Sequence, residues 1–282
     1  MLKYFSLVKF SHTIFALPFA IFGFILATQS NRAQFDITKL VLVILCMIFA
    51  RSAAMAFNRL VDHSFDAKNP RTAIREIPAG QISVTAAIVF VILNAAGFMI
   101  VSFFINKLCF YLAPVALLVI LGYSYTKRFT PLCHLVLGLG LALAPIGAYL
   151  AITEEFALTP VLIGIVVLFW VSGFDIIYSL QDEEFDKENK LLSIPVLLGK
   201  KNALLLSRLL HVISAIFIIL IFFIGPFSWL YITGAGIFIF LLIYQHTIIS
   251  HNNLSKINLA FFTTNGFGSI LFSLFACCDL LF

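Results

Sequence analysis

Two stretches of this chain place carboxylates at a spacing that suits the binding of a metal ion. In the first stretch, Asn58, Asp62 and Asp66 are four residues apart. Each step of four residues on a helix turns about 400° and rises about 6 Å, so the three side chains would form one stripe. Like charges held this close repel each other unless a cation lies between them. Hard oxygen ligands of this kind suit Mg²⁺, which predicts a magnesium site.

The second stretch repeats the first further along the chain. Tyr178, Asp182 and Asp186 have the same spacing, and each follows its counterpart in the first stretch by 120 residues. Asp175 precedes Asp182 by seven residues, which puts it within about 20° of the same helix face. The repeat indicates an internal duplication in which each half of the chain carries one acidic helix end.

Basic residues accompany both motifs, and they predict an anion that binds together with its metal. Diphosphate bridged by Mg²⁺ fits best, because carboxylates hold the ions and basic side chains hold the remaining phosphate oxygens. The candidate diphosphate-binding residues are Lys68, Arg71, Lys127, Arg128, Lys187 and Lys190. The favoured reaction is departure of diphosphate from an allylic carbon, which leaves a carbocation. The 32 Phe and 8 Tyr residues could supply a dry aromatic cavity for it, although Phe is also an ordinary lipid-facing residue.

The composition is that of a membrane protein. Of the 282 residues, 62% are hydrophobic and 11% are charged, and the mean hydropathy is +1.08. A soluble domain carries about 25% charged residues. The net charge of +5 therefore indicates membrane orientation rather than nucleic-acid binding. We expect membrane lipid and no nucleic acid among the partners.

The apolar runs predict an all-α protein with about nine transmembrane helices. Runs long enough to cross a bilayer, which takes about 20 residues, lie at 11–28, 37–60, 82–105, 109–126, 131–152, 158–180, 203–224, 228–249 and 257–281. Two longer polar loops, 66–81 and 182–202, follow the acidic motifs. The chain is predicted to be a single domain, residues 1–282, with two pseudo-repeated halves that carry motifs 58–72 and 175–190.

Basic residues are divided unequally between the two sides of such a bundle. The side with the N-terminus and both motifs holds fourteen Lys and Arg residues, whereas the other side holds three. Lys and Arg collect in cytoplasmic loops. We therefore expect the N-terminus and both motifs to face the cytoplasm, in which case some basic residues near the motifs serve only to orient the chain.

These motifs resemble those of the UbiA superfamily of membrane-embedded aromatic prenyltransferases. The resemblance rests on Asn58-x3-Asp62-x3-Asp66, the following Asn69-Pro70-Arg71-Thr72, the second motif Asp182-x3-Asp186, the basic segment 123–128 and the N-terminal segment 9–18. It covers essentially the whole chain. It implies an all-α bundle around a central cavity that opens laterally to lipid. It also implies Mg²⁺-dependent transfer of a polyprenyl chain from polyprenyl diphosphate to a small aromatic acceptor.

Members of this superfamily differ in their acceptor, and no motif here fixes the choice. The N-terminal resemblance favours respiratory quinone biosynthesis in a bacterial cytoplasmic (inner) membrane. The first acceptor it suggests is the 4-hydroxybenzoate of ubiquinone synthesis, and the second is a dihydroxynaphthoate of menaquinone synthesis. A membrane transporter is the alternative from another class, because duplicated halves and intramembrane charges are common in transporters. A transporter would carry its paired groups near the bilayer midplane, and a non-catalytic assembly factor would not need all four aspartates.

The predicted metal ligands are four aspartates, which are thereby predicted to be catalytic, and one amide: Asp62, Asp66, Asp182, Asp186 and Asn58. The alternative is a pair of solvated helix ends. Acidic residues at a helix C-terminus are unfavourable, however, which argues for a function. Among the basic residues, Arg71 is the preferred diphosphate ligand because it is fixed to the first motif, and Lys127 is the next.

Four further residues are predicted to hold the acceptor or to line the cavity: Arg51, Asp175, Tyr123 and Tyr178. Arg51 lies seven residues before Asn58 and so about 10 Å deeper on the same face. A buried guanidinium needs a partner. Asp175 is the predicted resting partner, and an acceptor carboxylate could replace it in a bidentate contact. The alternative is a purely structural Arg51–Asp175 pair, since buried pairs need not be functional. Asp175 could also take the ring proton or bind the phenol. The tyrosines could equally be packing residues, and none of the histidines is predicted to be a ligand.

Overall fold

The computed structural model describes residues 2–8, 10–29 and 34–282, without the side chains of residues 2, 5 and 10–12. Lys9, Arg32 and the side chain of His12, which entered the predictions above, lie outside the described residues. The helices are α1 (Leu2–Val8), α2 (Leu17–Thr28), α3 (Ile37–Val61), α4 (His63–Asp66), α5 (Val84–Ile105), α6 (Lys107–Thr126), α7 (Cys133–Thr153), α8 (Leu158–Ser179), α9 (Glu183–Glu188), α10 (Ile194–Ile224), α11 (Trp229–Ile248) and α12 (Asn265–Leu281). A π-helical turn, Leu259–Thr264, leads directly into α12.

The described part of the chain is all-helical and contains no β-strand, as predicted. Eight of its helices are long and apolar enough to cross a membrane. A ninth span results if Ser6–Phe15 and Leu17–Thr28, which are bent by 46° relative to each other, are counted together. The prediction of about nine spans is thus confirmed. The protein is an integral membrane protein.

Polar side chains fix the ends of the spans. Asp36 accepts hydrogen bonds from the backbone N–H groups of Thr38 and Lys39 at the start of α3. Asn106 caps α6 by accepting from Cys109 N, and its amide donates to the carbonyl of Leu150 near the end of α7. Capping groups satisfy backbone donors and acceptors that a helix end would otherwise leave open. These caps fix where α3 and α6 begin, at Ile37 and Lys107, close to the predicted starts at 37 and 109.

One predicted boundary is wrong. The seventh span was expected to begin at residue 203, but α10 begins at Ile194, inside the predicted 182–202 loop. Ser193 caps this helix by accepting from Val196 N, and Pro195 occupies its first turn. Both features favour a helix start. Gly199 then interrupts the helix with a φ of 75°, which only glycine adopts easily.

The helix α8 is central to the bundle and carries one of the two acidic motifs at its end. Its Trp170 is fully buried, packs edge-on against Phe174 and Phe238 and donates to the side-chain oxygen of Asn265 on α12 at 2.8 Å. Close helix contacts elsewhere depend on small residues. A Cβ at Gly23 of α2 would lie 2.2 Å from a carbonyl oxygen of α7. The tightly packed core therefore holds α8 as a fixed frame for the site.

Candidate active site

The first acidic motif lies where α3 ends and α4 begins. The backbone N–H of Asp62 donates to Asn58 O, and that of Asp66 donates to Asp62 O. The helical register is therefore kept across the junction. The side-chain amide of Asn58 donates to Asp62 Oδ2 at 3.2 Å. The predicted stripe of three oxygen-bearing side chains is thus present, with Asp66 buried and Asp62 partly exposed.

The second motif follows α8 in the same manner. Tyr178 lies in the last turn of α8, Asp182 ends a single 3-10 turn, and Asp186 lies in the short helix α9. Asp186 is almost completely buried, whereas Asp182 keeps 14% of its side-chain exposure. Both motifs therefore place one open aspartate and one buried aspartate at the end of a long span.

Arg71 joins the two motifs. Its Nη2 lies 2.6 Å from Asp182 Oδ2, and its Nε donates to Asp182 Oδ1 at 3.0 Å. The guanidinium also lies over the ring of Tyr178, 5.6 Å from the ring centroid. Asn69 supports this contact, because its Oδ1 accepts from Arg71 N and its amide donates to Asp182 Oδ1 at 3.5 Å. A bidentate arginine–carboxylate pair of this kind fixes geometry as well as charge.

The loop after α6 makes the second connection between the motifs. Lys127 Nζ lies 2.6 Å from Asp186 Oδ2, while Arg128 Nη2 lies 3.4 Å from Asp62 Oδ1 and donates to Val61 O at 2.8 Å. The backbone of Lys127 also accepts from Leu192 N at 2.7 Å. Two neighbouring residues thus contact one aspartate of each motif, and the site is built where three segments of the chain meet.

Three of the six predicted diphosphate-binding residues lie at these contacts. Arg71, Lys127 and Arg128 each contact a motif aspartate. The other three are exposed and have no ion pair with a carboxylate among the residues that the structure describes: Lys68, Lys187 and Lys190. Arg75 was missed as a candidate, although it binds both oxygens of Asp66, at 2.7 and 2.8 Å. The only sequence signal for it was its place in the basic loop.

Burial disfavours the charged forms of the side chains at the site, and oppositely charged neighbours oppose this effect. The pKa of Asp62 is raised to about 6. Burial is the main cause, the neighbouring Asp66 acts in the same direction, and Arg128 and Lys127 oppose the shift. Burial would lower the pKa of Lys127, but its contact with Asp186 outweighs burial and raises it. Paired carboxylates whose charge is disfavoured in this way are stabilised by a divalent cation between them.

The donor set suits Mg²⁺ only in part. Carboxylate and amide oxygens are its preferred protein ligands. However, no group of three or more His, Cys, Asp or Glu side chains in the described ranges is close enough to hold a cation alone. Mg²⁺ normally keeps several waters and shares substrate phosphates rather than sitting in an all-protein cage. The aspartates therefore fit a metal that binds together with a phosphate ligand.

An apolar cavity of about 390 Å³ lies between α3, α5, α6 and α7. Its lining is almost entirely aliphatic and aromatic, and Arg51 and Tyr123 are among its few polar residues. Tyr123 lies within Coulombic range of Asp62 and Asp175 as well as Arg51, which places this part of the cavity beside the motifs. Tyr178 does not line the cavity and lies instead between Arg71 and Phe261.

The predicted resting partner of Arg51 is wrong. Asp175 is not ion-paired with Arg51; its Oδ2 lies 2.7 Å from His134 Nδ1. Depth alone had suggested the arginine, but His134, in the first turn of the neighbouring helix α7, contacts Asp175 instead. The histidine is 41 residues away in the chain, and nothing in its sequence surroundings indicates this contact.

Comparison with known proteins places these features in a family. The model of the UbiA prenyltransferase family matches residues 16–267. The chain is 28% identical over 240 residues to the 4-hydroxybenzoate octaprenyltransferase of Tolumonas auensis, covering 83% of this chain and 82% of that protein. It is also similar to the apo structure of a UbiA homolog from Aeropyrum pernix K1, with a TM-score of 0.81 and 28% identity over 96% of this chain and 97% of that one.

A further solved structure shares the fold at lower identity. The UbiA homolog from Archaeoglobus fulgidus bound to GPP and Mg²⁺ matches with a TM-score of 0.78 and 22% identity. The match covers 99% of this chain and 100% of that one.

Proposed function

The chain belongs to the UbiA prenyltransferase family, and from this premise we propose that it transfers a polyprenyl chain to the ring of 4-hydroxybenzoate in respiratory quinone biosynthesis. It is a polyprenyltransferase, which removes the transporter alternative. The observation that carries the proposal is Arg51, a cation in a largely apolar cavity beside two acidic motifs. A guanidinium in such a place suits an acceptor that carries a carboxylate.

In this proposal the two motifs bind the head of the polyprenyl diphosphate. Asp62, Asp66, Asp182 and Asp186, with Asn58, would hold Mg²⁺, which supplies charge neutralisation for the departing diphosphate. Arg71, Lys127 and Arg128 already lie between the motifs. They would bind the remaining phosphate oxygens through charge-assisted hydrogen bonds. The diphosphate is where negative charge grows in the transition state, so these contacts lower the barrier.

The cavity receives the rest of the donor. Its aliphatic lining would hold the polyprenyl chain and exclude water from the allylic carbocation, which water would otherwise capture. Arg51 would hold the acceptor's carboxylate at the motif end of this cavity. Tyr123 would lie beside the ring, and Asp175 would accept the ring proton. In this way the acceptor's nucleophilic carbon is presented to the carbocation while the diphosphate stays with the aspartates.

A product assay with separate acceptors tests the proposal. Membranes that contain the protein would be incubated with polyprenyl diphosphate, Mg²⁺ and either 4-hydroxybenzoate or a dihydroxynaphthoate, and the products would be identified by mass spectrometry. We expect prenylated 4-hydroxybenzoate. A prenylated naphthoate as the sole product would contradict the acceptor and retain the enzyme class, because both acceptors carry a carboxylate for Arg51.

Kinetics of Arg51→Lys then test the role of the guanidinium. Lysine keeps the charge but cannot make a bidentate contact. We expect the KM for the acceptor to rise about tenfold, which corresponds to about 1.4 kcal/mol, and the KM for polyprenyl diphosphate to change little. Phenol, which lacks the carboxylate, should be a poor acceptor for the wild type and should lose little more in the variant. Equal losses for both acceptors would assign Arg51 a structural role.

We also propose that the motifs face the cytoplasm of a bacterial cell, with the chain in the inner membrane. In a background without cysteine, Glu184→Cys and Pro226→Cys place single thiols at exposed positions on opposite sides of the proposed topology. A membrane-impermeant maleimide added to spheroplasts should label Pro226→Cys and should label Glu184→Cys only after lysis. Labelling of Glu184→Cys in intact spheroplasts would reverse the orientation.

A further inference from the structure

His134 and Asp175 form a close pair beside the cavity. The proposed function gives a role to Asp175 but none to His134. His134 Nδ1 lies 2.7 Å from Asp175 Oδ2. The histidine lies in the first turn of α7 and has 3% side-chain exposure, whereas Asp175 in α8 keeps 23%. A carboxylate this deep in a transmembrane helix is costly and commonly functional. Here one of its oxygens is held by a buried side chain while the carboxylate as a whole stays accessible.

The surroundings of His134 fix which ring nitrogen carries the proton. Its Nδ1 faces a carboxylate oxygen of Asp175, which can only accept, so Nδ1 carries a proton and donates to Asp175. On the other side of the ring, the backbone N–H of Ile194 lies 3.4 Å from Nε2. The backbone carbonyl of His134 accepts from the hydroxyl of Ser172 at 3.1 Å. The imidazole is thus anchored to α8 and α10 and has little freedom to turn.

The second oxygen of Asp175 is the one available for chemistry. Asp175 Oδ1 has no hydrogen bond among the described residues, and the side chain as a whole keeps 23% of its exposure. Tyr123, which lines the cavity, lies within Coulombic range of Asp175. A carboxylate held at one oxygen and open at the other has the arrangement of an oriented general base.

We propose that His134 is a positioning residue that orients Asp175 to take the proton from the acceptor ring. The inference rests on the proposed function and deepens it. In the reaction, the allylic C–O bond breaks and its electron pair leaves with the diphosphate. The ring carbon beside the hydroxyl group then forms a C–C bond to the carbocation. Finally, the C–H bond at that carbon breaks, its electrons restore the aromatic ring, and the proton passes to Asp175 Oδ1.

Substitutions at His134 separate positioning from packing. His134→Asn keeps an N–H donor near the position of Nδ1, whereas His134→Leu keeps a side chain of comparable bulk and removes the donor. Asp175→Asn removes the base. His251→Ala changes an exposed histidine outside the site and serves as the control. Thermal unfolding in detergent identifies any variant that fails to fold.

A deuterium kinetic isotope effect distinguishes the two roles, because it would not change if His134 served only in packing. The acceptor would carry deuterium on the ring carbons beside its hydroxyl group. When the base is oriented, loss of the ring proton is fast and does not limit the rate, so the isotope effect on kcat stays near 1. We expect His134→Leu to lower kcat by about 10- to 100-fold, since a general base contributes about 10²–10⁴-fold, and to raise the isotope effect above about 2. The KM for polyprenyl diphosphate should change less than about twofold.

The Asn variant and the double variant complete the test. His134→Asn should recover most of the rate, and adding His134→Leu to Asp175→Asn should cost little further, because both act through one group. An isotope effect of 1 in His134→Leu, equal losses in His134→Asn and His134→Leu, or additive losses in the double variant would each overturn the proposal. His251→Ala should match the wild type in every measurement.

The contact itself can be tested without turnover. In protein labelled with ¹⁵N-histidine, the Nδ1–H proton of His134 should give a downfield NMR signal that is absent in His134→Leu and shifts in Asp175→Asn. If the signal did not shift in Asp175→Asn, the inference would be overturned, whichever acceptor the enzyme uses. By contrast, a wild type that shows this signal but prenylates no aromatic acid would contradict the proposed function and leave the contact standing.

Discussion

The two acidic motifs are alike in exposure but differ in where their cations come from. In each motif the first aspartate is the more exposed, with 30% for Asp62 and 14% for Asp182, while Asp66 and Asp186 keep 9% and 2%. The open aspartates can therefore reach a ligand from the loop side. The buried ones act as fixed anchors for basic side chains.

The motifs differ in how far along the chain each aspartate lies from its basic partner. Asp66 pairs with Arg75, nine residues later on the same loop. Asp186 pairs with Lys127, 59 residues away, and Asp182 pairs with Arg71, 111 residues away. Asp62 also takes a distant cation, Arg128, 66 residues away. The buried ion pair of the first motif is therefore local, whereas both ion pairs of the second motif form only when the distant segments have packed together. A change at a cross-motif pair should consequently damage more than the same change within the first motif.

The largest effect is expected from the open aspartates themselves, and it should be equal in the two motifs. Asp62→Asn and Asp182→Asn each remove a charge that the proposed metal and diphosphate require. Loss of such transition-state electrostatics costs about 10²–10³-fold or more in kcat. Product formation measured by mass spectrometry should fall by at least this factor in both variants, and EDTA should abolish wild-type activity until Mg²⁺ is restored. Full turnover in EDTA, or a large effect in one motif only, would break the proposed symmetry.

A matched pair of variants tests the asymmetry in cations. Lys127→Met leaves Asp186 buried without its ion pair, and Arg75→Met does the same to Asp66. Breaking a fully buried pair costs about 3–5 kcal/mol. Because both bases are partly exposed, we expect smaller losses of about 2 kcal/mol for Lys127→Met and about 1 kcal/mol for Arg75→Met.

Thermal unfolding in detergent measures these losses, and tryptic cleavage of the 182–202 segment reports whether the three segments still meet. We expect faster cleavage only in Lys127→Met. Equal destabilisation and equal cleavage in the two variants would show that both motifs depend on the assembled fold to the same degree.

The sequence reveals the motifs and spans but not the pairs that join them. The ends of α3 were predicted at 37 and 60 and lie at Ile37 and Val61, because hydropathy and the Asp36 cap are local signals. The start of α10 was missed because Lys200 and Lys201 make the stretch polar, although Ser193 and Pro195 begin a helix there. A helix that is amphipathic at its start leaves a weak signal in a hydropathy pattern.

Long-range contacts leave no local signal at all. The Arg71–Asp182 pair was only implied by placing both residues at one diphosphate site. Arg51 and Asp175 were paired because they lie at similar depth, yet depth along a helix does not determine which neighbouring helix contacts a side chain. The residue that contacts Asp175 is His134. The internal duplication of the two halves stays a prediction, since similar motif geometry does not establish it.

A moderate effect is expected at the bidentate contact between the motifs. Arg71→Lys keeps one positive charge but loses the paired N–H groups that bind Asp182. Losing one charge-assisted hydrogen bond costs about 1.5–3 kcal/mol when buried. Because Arg71 is about one-third exposed, we expect the lower end, a rise of about tenfold in the KM for polyprenyl diphosphate. Lys68→Met provides the comparison, at an exposed lysine that has no ion pair within the described part of the chain, and should change this KM by less than about threefold.

The smallest effect is expected at Tyr178, where the hydroxyl and the ring of one side chain can be separated. The hydroxyl accepts from Arg71 Nη1 at 3.3 Å, which is a long bond, while the ring lies under the guanidinium and 4.2 Å from the ring centroid of Phe261. Tyr178→Phe loses only the hydroxyl, so the KM for polyprenyl diphosphate should rise about twofold.

Tyr178→Leu also removes the aromatic face, and a partly exposed cation–π contact adds about 0.5–1 kcal/mol. We therefore expect a rise of about fivefold for this variant. The corresponding position of the first motif is Asn58, which offers an amide and no ring, so Asn58→Leu should act on the metal requirement instead. It should raise the Mg²⁺ concentration needed for half-maximal rate, whereas Tyr178→Leu should leave that concentration unchanged. If Tyr178→Phe and Tyr178→Leu were equally impaired, the hydroxyl alone would account for the effect of Tyr178 on Arg71. The two motifs would then differ only in the polar atom that each presents at this position.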